Sequence, residues 1–247
     1  MAENSFCKHS DYVVSLLCAA KEYFIKHGMQ PEKFKVVMNG IVEEEWESPE
    51  ELPCEHKSLL ESLRREGKFI ICFFGSITES YSIDYLIKAK KIINNDGVAV
   101  VIVGNGNQKE ALQKMNVKDV YFLPSISKKA IPSLVNSVDC CYVGALRNDM
   151  FRFGICMNKL FDAMMSGKPI LYAVEAPNNF ISDYHCGISV KAENAEALAD
   201  GIKVLLEMSQ KERERMGQNG REAVKSHFTY HQLASEFAKL FQGTADS

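Results

Sequence analysis

The sequence predicts an α/β protein built on a doubly wound parallel sheet. Three observations carry that expectation. From residue 68 onward, short apolar runs alternate with segments whose apolar residues recur at helical spacing, the order that gives a parallel sheet covered on both faces. Residues 69–74, Phe-Ile-Ile-Cys-Phe-Phe, are apolar without interruption, as strands covered on both faces are. The chain has 247 residues, 46% of them hydrophobic, so it can bury a core that needs no staple.

The elements follow in order. Residues 11–17 read as a short strand, 18–27 as a helix closed by Gly28, and 34–38 as a strand that stops at Asn39 and Gly40. Residues 41–56 are acidic and turn-rich and are expected as a surface connection, with a capping-box spacing from Ser48 to Glu51 and Pro49 at the first helical position. After the strand at 69–74 comes a helix over 82–94, marked by Ile83, Leu86, Ile87 and Ile93. Strands are then expected at 98–103, 120–123, 138–143, 169–173 and 188–190, with helices at 108–115, 129–135, 158–165 and 178–184 between them. Three helices finish the chain. The first covers 195–207, and capping-box spacings at Ser209 and Glu212 and at Thr229 and Gln232 open the other two. The last aligns Leu233, Phe237, Leu240 and Phe241 on one face.

Several function classes are disfavoured. The formal net charge of -3 argues against a protein that coats nucleic acid. No run of about 18 apolar residues predicts a membrane span, and the N-terminus lacks a signal-peptide layout, which suggests a cytoplasmic protein. The eight cysteines form no C-x-x-C pair and no zinc spacing, so they read as reduced, buried thiols. His227 and His231 are four apart, but a helix cap expected at Thr229 separates them, and no metal site is predicted. There is no G-x-x-x-x-G-K-[ST] loop, and Lys109 stands where G-x-G-x-x-G needs its third glycine.

In such sheets ligands bind beyond the carboxyl ends of the strands. Gly75 and Ser76 follow one strand, where they can approach a phosphate or make an ordinary turn, and Gly104 and Asn105 follow the next. The segment 153–169 is the richest. Asn158 and Lys159 open a helix, where free N–H groups and the dipole favour an anion, and Lys159 adds a full charge. Asp162 lies one turn in, where it can accept from two adjacent hydroxyls or simply serve as a first-turn acid.

Taken in order, residues 11–15, 36–40, 74–76, 103–106, 158–164 and 167–169 resemble the C-terminal half of family 4 glycosyltransferases, which have the two-domain GT-B architecture. The Asn158-Lys159-Leu160-Phe161-Asp162 variant is similar to the subgroup that builds bacterial surface polysaccharides. The resemblance implies a Rossmann-like domain over 58–228 that binds a UDP- or GDP-sugar, with no cofactor and no metal. It implies a remnant of the acceptor domain with its crossing strand at 1–40, a linker at 41–57, and a crossover helix and tail at 229–247. The diphosphate would rest near Met157, Asn158, Lys159 and Leu160, with Lys159 stabilising the leaving group. Gly75 and Ser76 would lie beside the phosphates, Asp162 would hold the ribose, and Gly104, Asn105, Phe122, Leu123 and Pro124 would lie near the base.

This chain departs from the family pattern at three positions. Gly154 stands where an acid normally meets the donor sugar, and Ser76 and Tyr81 stand where many members carry Arg and Lys. Lys159, Arg147 and Arg152 are the candidates for the missing charge. The resemblance also implies a glycan or lipid-linked acceptor held by a separate N-terminal domain or partner chain, and poor transfer by this chain alone. It implies a cytoplasmic enzyme, peripheral at the membrane when whole, and an apolar patch on the last helix that favours self-association. Two other readings stay open: a non-catalytic nucleotide-sugar-binding or regulatory module, and half of a sugar-nucleotide epimerase.

Overall fold

The computed structural model describes residues 2–242. The chain opens with α1 (Ala2–His9), β1 (Val13–Ser15), α2 (Lys21–Lys26) and β2 (Phe34–Val36). β1 and β2 pair in parallel as a separate two-stranded sheet, Val13 opposite Phe34, over a small core of Cys7, Val13 and Met29. α3 (Glu44–Glu47) and α4 (Cys54–Arg65) lead into the main body. There β3 (Phe69–Phe74), α5 (Ile83–Ile93), β4 (Val98–Val103), α6 (Lys109–Gln113), β5 (Val120–Leu123) and α7 (Ile131–Asn136) alternate. β6 (Cys140–Gly144), α8 (Asn158–Met165), β7 (Ile170–Ala173), α9 (Phe180–Asp183) and β8 (Gly187–Ser189) continue the pattern. The chain closes with α10 (Ala195–Glu207), α11 (Gln210–His227) and α12 (Tyr230–Gln242).

The main sheet is parallel throughout, in the order β5-β4-β3-β6-β7-β8. Strand order runs outward in both directions from β3 and β6, so the topological switch point lies between them. Side chains alternate across β3 as strand geometry requires. Ile70, Cys72 and Phe74 enter the core layer under α4, α7, α8 and α11, while Ile71 and Phe73 enter the layer under α5 and α10. The predicted α/β class and parallel sheet therefore hold.

The departures are local. Residues 41–56 are not a bare connection: α3 forms there and α4 begins at Cys54. Ile41 is buried and exchanges backbone hydrogen bonds with Phe228 and Tyr230, and Trp46 packs on the core. No helix starts after Ser48, which instead ends α3; the Glu50 N–H donates to Lys129 O at 3.0 Å, so tertiary pairing overrides the capping pattern. α1 carries no strong sequence signal and went unpredicted. The strands at β1 and β2 are shorter than expected. The boxes at Ser209 and at Thr229 both form, and the second splits His227 from His231 between α11 and α12. Cys7, Cys72, Cys140, Cys141 and Cys186 are buried thiols, whereas Cys54 is exposed. Of the last helix's apolar face only Leu233 is buried; Phe237 is exposed. No described helix is long and apolar enough to cross a membrane.

α8 is held from beneath. The Phe161 ring sits 5.0 Å from Phe228 and 5.8 Å from Phe180. Arg221 Nε donates to Met165 O at 2.9 Å at the far end of the helix. Phe161→Ala is therefore expected to lower stability by about 3–5 kcal/mol in urea unfolding, as buried aromatic truncations do.

Candidate functional site

β3, β4 and β5 end side by side, and the loops after them wall a cleft of about 470 Å³ whose remaining side is the start of α8. Gly75 and Ser76 come from the β3 loop, Gly104 and Asn105 from the β4 loop, and Lys159 and Asp162 from α8. Ser125, Ile126, Lys128 and Ile131 close the far side. The cleft thus lies beyond the carboxyl ends of the strands and reaches the switch point, where α/β sheets bind ligands.

Backbone hydrogen bonds lock these loops together. Gly75 N–H donates to Val103 O at 3.0 Å, Ile77 N–H to Asn105 O at 2.9 Å and Gly104 N–H to Leu123 O at 3.1 Å. A Cβ at Gly104 would fall 1.9 Å from Gly75 O, so only glycine allows this backbone-on-backbone contact.

Lys159 occupies the first turn of α8, whose N-terminus no side chain caps. The N–H groups of that turn need outside partners and favour an anion. Lys159 Nζ is buried with no hydrogen-bond acceptor. It rests 3.3 Å from the Tyr81 ring centroid and 4.2 Å from that of Phe73, close against Gly75. Cation–π attraction replaces part of the lost hydration, yet burial still pulls the ammonium down to about 7. Asp162 moves the other way. Burial pushes its carboxyl up to about 6, Lys128 opposes that and Glu45 adds to it. Two groups of opposite charge type, both driven toward neutrality by desolvation in one cleft, make that cleft the candidate functional site.

The structure brings Gly75, Ser76, Gly104, Asn105, Lys159 and Asp162 together around the cleft. The other predicted residues are not among its lining. Asn158 is exposed at the helix start, Met157 stands at the N-cap, and Leu160 is buried in the core beneath α8. Phe122 packs on the opposite face of the sheet, Leu123 is core, and Pro124 gives its carbonyl to His56 Nε2 at 2.9 Å. Sequence reasoning stopped one residue short on that wall: Ser125, Ile126 and Lys128 line the cleft and were missed. Carrying the strand-end rule past Pro124 would have found them. Neither Arg147 nor Arg152 is part of the lining. Arg147 is held by Glu175 through two bonds of 2.9 Å, and Arg152 lies over the Phe153 ring.

Gly154 has φ +108°. A Cβ there would meet Asn178 Oδ1 at 3.1 Å and Cys18 Sγ at 3.2 Å, so a side chain at this position would strain the backbone and crowd its neighbours. The stretch around it is pinned to the N-terminal segment. Ala19 N–H donates to Phe153 O at 2.9 Å, and Asn39 Nδ2 donates to Cys156 O at 3.0 Å.

Residues 56–223 match the family model described as glycosyl transferases group 1. Over 243 residues the chain is 24% identical to an uncharacterized glycosyltransferase of Methanocaldococcus jannaschii, covering 95% of this chain and 59% of that protein. Among solved structures, Anabaena HepE in complex with UDP superposes with a TM-score of 0.78 at 18% identity, over 98% of this chain and 66% of the other. Sucrose-phosphate synthase from Thermosynechococcus elongatus gives 0.77 at 18% identity, over 100% of this chain and 62% of the other. The parallel α/β fold is therefore that of GT-B glycosyltransferase structures, and the chain spans about three fifths to two thirds of these proteins.

A buried, unpaired ammonium makes a prediction of its own. Its pKa is below the unfolded value, so the unfolded chain binds more protons and stability rises with pH between about 7 and 10.5. Lys159→Met keeps the packing and removes the desolvated charge. Thermal unfolding should show the variant at least as stable as the parent at pH 7, with the difference shrinking as pH approaches about 10.

Proposed function

Because the chain belongs to the family of group 1 glycosyl transferases, we propose that its cleft holds the nucleoside diphosphate of a sugar donor. One observation carries this reading: the buried Nζ of Lys159, without an acceptor, at the rim of a cleft that also presents an uncapped helix start. A diphosphate fills both deficits at once. Its oxygens accept from Lys159 and from the first-turn N–H groups, and Asp162 accepts from the ribose hydroxyls. Complexes of Anabaena HepE with UDP and UDP-glucose, on the same fold, support a donor of this kind.

In the reaction, the acceptor's hydroxyl oxygen bonds to the sugar's anomeric carbon as the bond from that carbon to the diphosphate breaks; the electron pair stays on the diphosphate oxygen, and the hydroxyl proton passes to it or to water. A cation already in place where that charge builds lowers the barrier without having to reorganise. Lys159 has that role, so transfer needs no divalent ion. The finer reading is a retaining, family 4 type enzyme of surface-polysaccharide synthesis. Its acceptor, a glycan or a lipid-linked sugar, is held by a second domain or partner chain, and this chain alone transfers poorly. The parallel pair β1 and β2, with Val14 and Val36 exposed, offers a surface for that contact, and the last helix, with Phe237 exposed, offers one for self-association. A cytoplasmic setting, peripheral at a membrane, goes with this reading. The second reading, a non-catalytic binding module, draws on Gly154, which brings no acid to the place where the family pattern has one.

Calorimetric titration with UDP and GDP tests the proposal. One of the two should bind saturably and with unchanged affinity in EDTA. Asp162→Ala should weaken both the nucleotide and its nucleoside. Lys159→Ala should weaken the nucleotide by roughly 10- to 100-fold and barely affect the nucleoside; equal losses would contradict the phosphate role. Affinity should also fall as pH drops below about 6, where the Asp162 carboxylate takes up a proton.

A further inference from the structure

We propose that Lys128 is a second donor-binding cation, and that in the free protein Glu45 holds its ammonium in the place of the donor's diphosphate. This inference rests on the nucleotide-site reading above. The cleft needs more positive charge than Lys159 supplies, because one ammonium meets a nucleoside diphosphate that carries at least two negative charges. The arginines 147 and 152 are engaged elsewhere. Lys128, in the loop after β5, lines the cleft with Asp162 of α8, whose carboxyl it influences.

Its present partner is weakly held. Lys128 Nζ lies 3.4 Å from Glu45 Oε2 on α3, with the two side chains 52% and 25% exposed. Exposed pairs of this kind contribute roughly 0–1 kcal/mol, so a diphosphate bound to a helix start can displace the carboxylate. Releasing Lys128 does not loosen the wall it stands on. The same connection is tied to that wall by Glu50 N–H to Lys129 O at 3.0 Å, Ser133 Oγ to Glu50 O at 2.6 Å, and a Ser127–Glu50 side-chain hydrogen bond. Glu45 therefore acts as a removable counter-charge on a fixed frame.

The two members of the pair should respond with opposite signs, which a purely structural ion pair cannot do. The test is calorimetric titration of the full chain with whichever of UDP and GDP binds, alongside the matching nucleoside. Lys128→Ala should weaken the nucleotide roughly tenfold and leave the nucleoside unchanged. Lys128→Arg should restore most of the loss. Glu45→Gln should tighten nucleotide binding by about two- to fivefold, the worth of an exposed ion pair. If both Lys128→Ala and Glu45→Gln weaken binding, the pair is a structural tie and the inference fails. If Lys128→Ala leaves the nucleotide unaffected while the parent binds it, the inference fails and the donor-site reading stands. If the parent binds neither nucleotide, both fall.

Discussion

A single desolvated ammonium organises the cleft. Lys159 Nζ has left water without gaining a hydrogen-bond acceptor, and two aromatic rings hold it in place. Such an arrangement costs stability, and a fold keeps it where something else is gained. What is gained here is a charge fixed at the switch point of a parallel sheet, beside an open helix start. Everything around it serves rigidity. Phe161, Phe180 and Phe228 brace α8 from below, and the glycine-to-glycine contact at 75 and 104 fixes the loops opposite. Preorganisation of this kind is what charge stabilisation in a transition state requires.

The cleft is also connected to parts of the chain far from it in sequence. The acidic stretch around α3 reaches across to the loop after β5 and places Glu45 near Lys128 and Asp162. Ala19 and Asn39 hydrogen-bond to the segment just before α8, and Cys18 and Asn178 crowd the space a side chain at position 154 would need. The geometry of the α8 entrance is thus set jointly by the main sheet and by the first forty residues.

Much of this was legible in the sequence. The uninterrupted apolar runs at 69–74 and 98–103 marked strands covered on both faces, and the Asn158–Asp162 spacing put a lysine and a carboxylate on the cleft side of one helix. The strand-end rule located Gly75, Ser76, Gly104 and Asn105. What stayed hidden depended on long-range contact. Lys128 follows a short strand and looks like any surface lysine, and its importance comes from Asp162 and Glu45, which are distant in sequence. The helix at α3 lies in an acidic, proline-flanked stretch with no apolar periodicity, and only the packing of Trp46 reveals why it forms. Ser48 carries a good capping pattern that loses to a backbone pairing across to Lys129.

The most direct test of the central claim is the number of protons taken up when the nucleotide binds, measured by titration calorimetry at pH 8 in buffers of different ionisation enthalpy. In the free protein the Lys159 ammonium titrates at about 7, so at pH 8 it is mostly neutral. A diphosphate placed against it raises that pKa well above 8, and binding should take up close to one proton. The uptake should vanish in Lys159→Met. Binding with no proton uptake in the parent would contradict the claim that a desolvated, largely neutral Lys159 gains its charge by meeting the diphosphate.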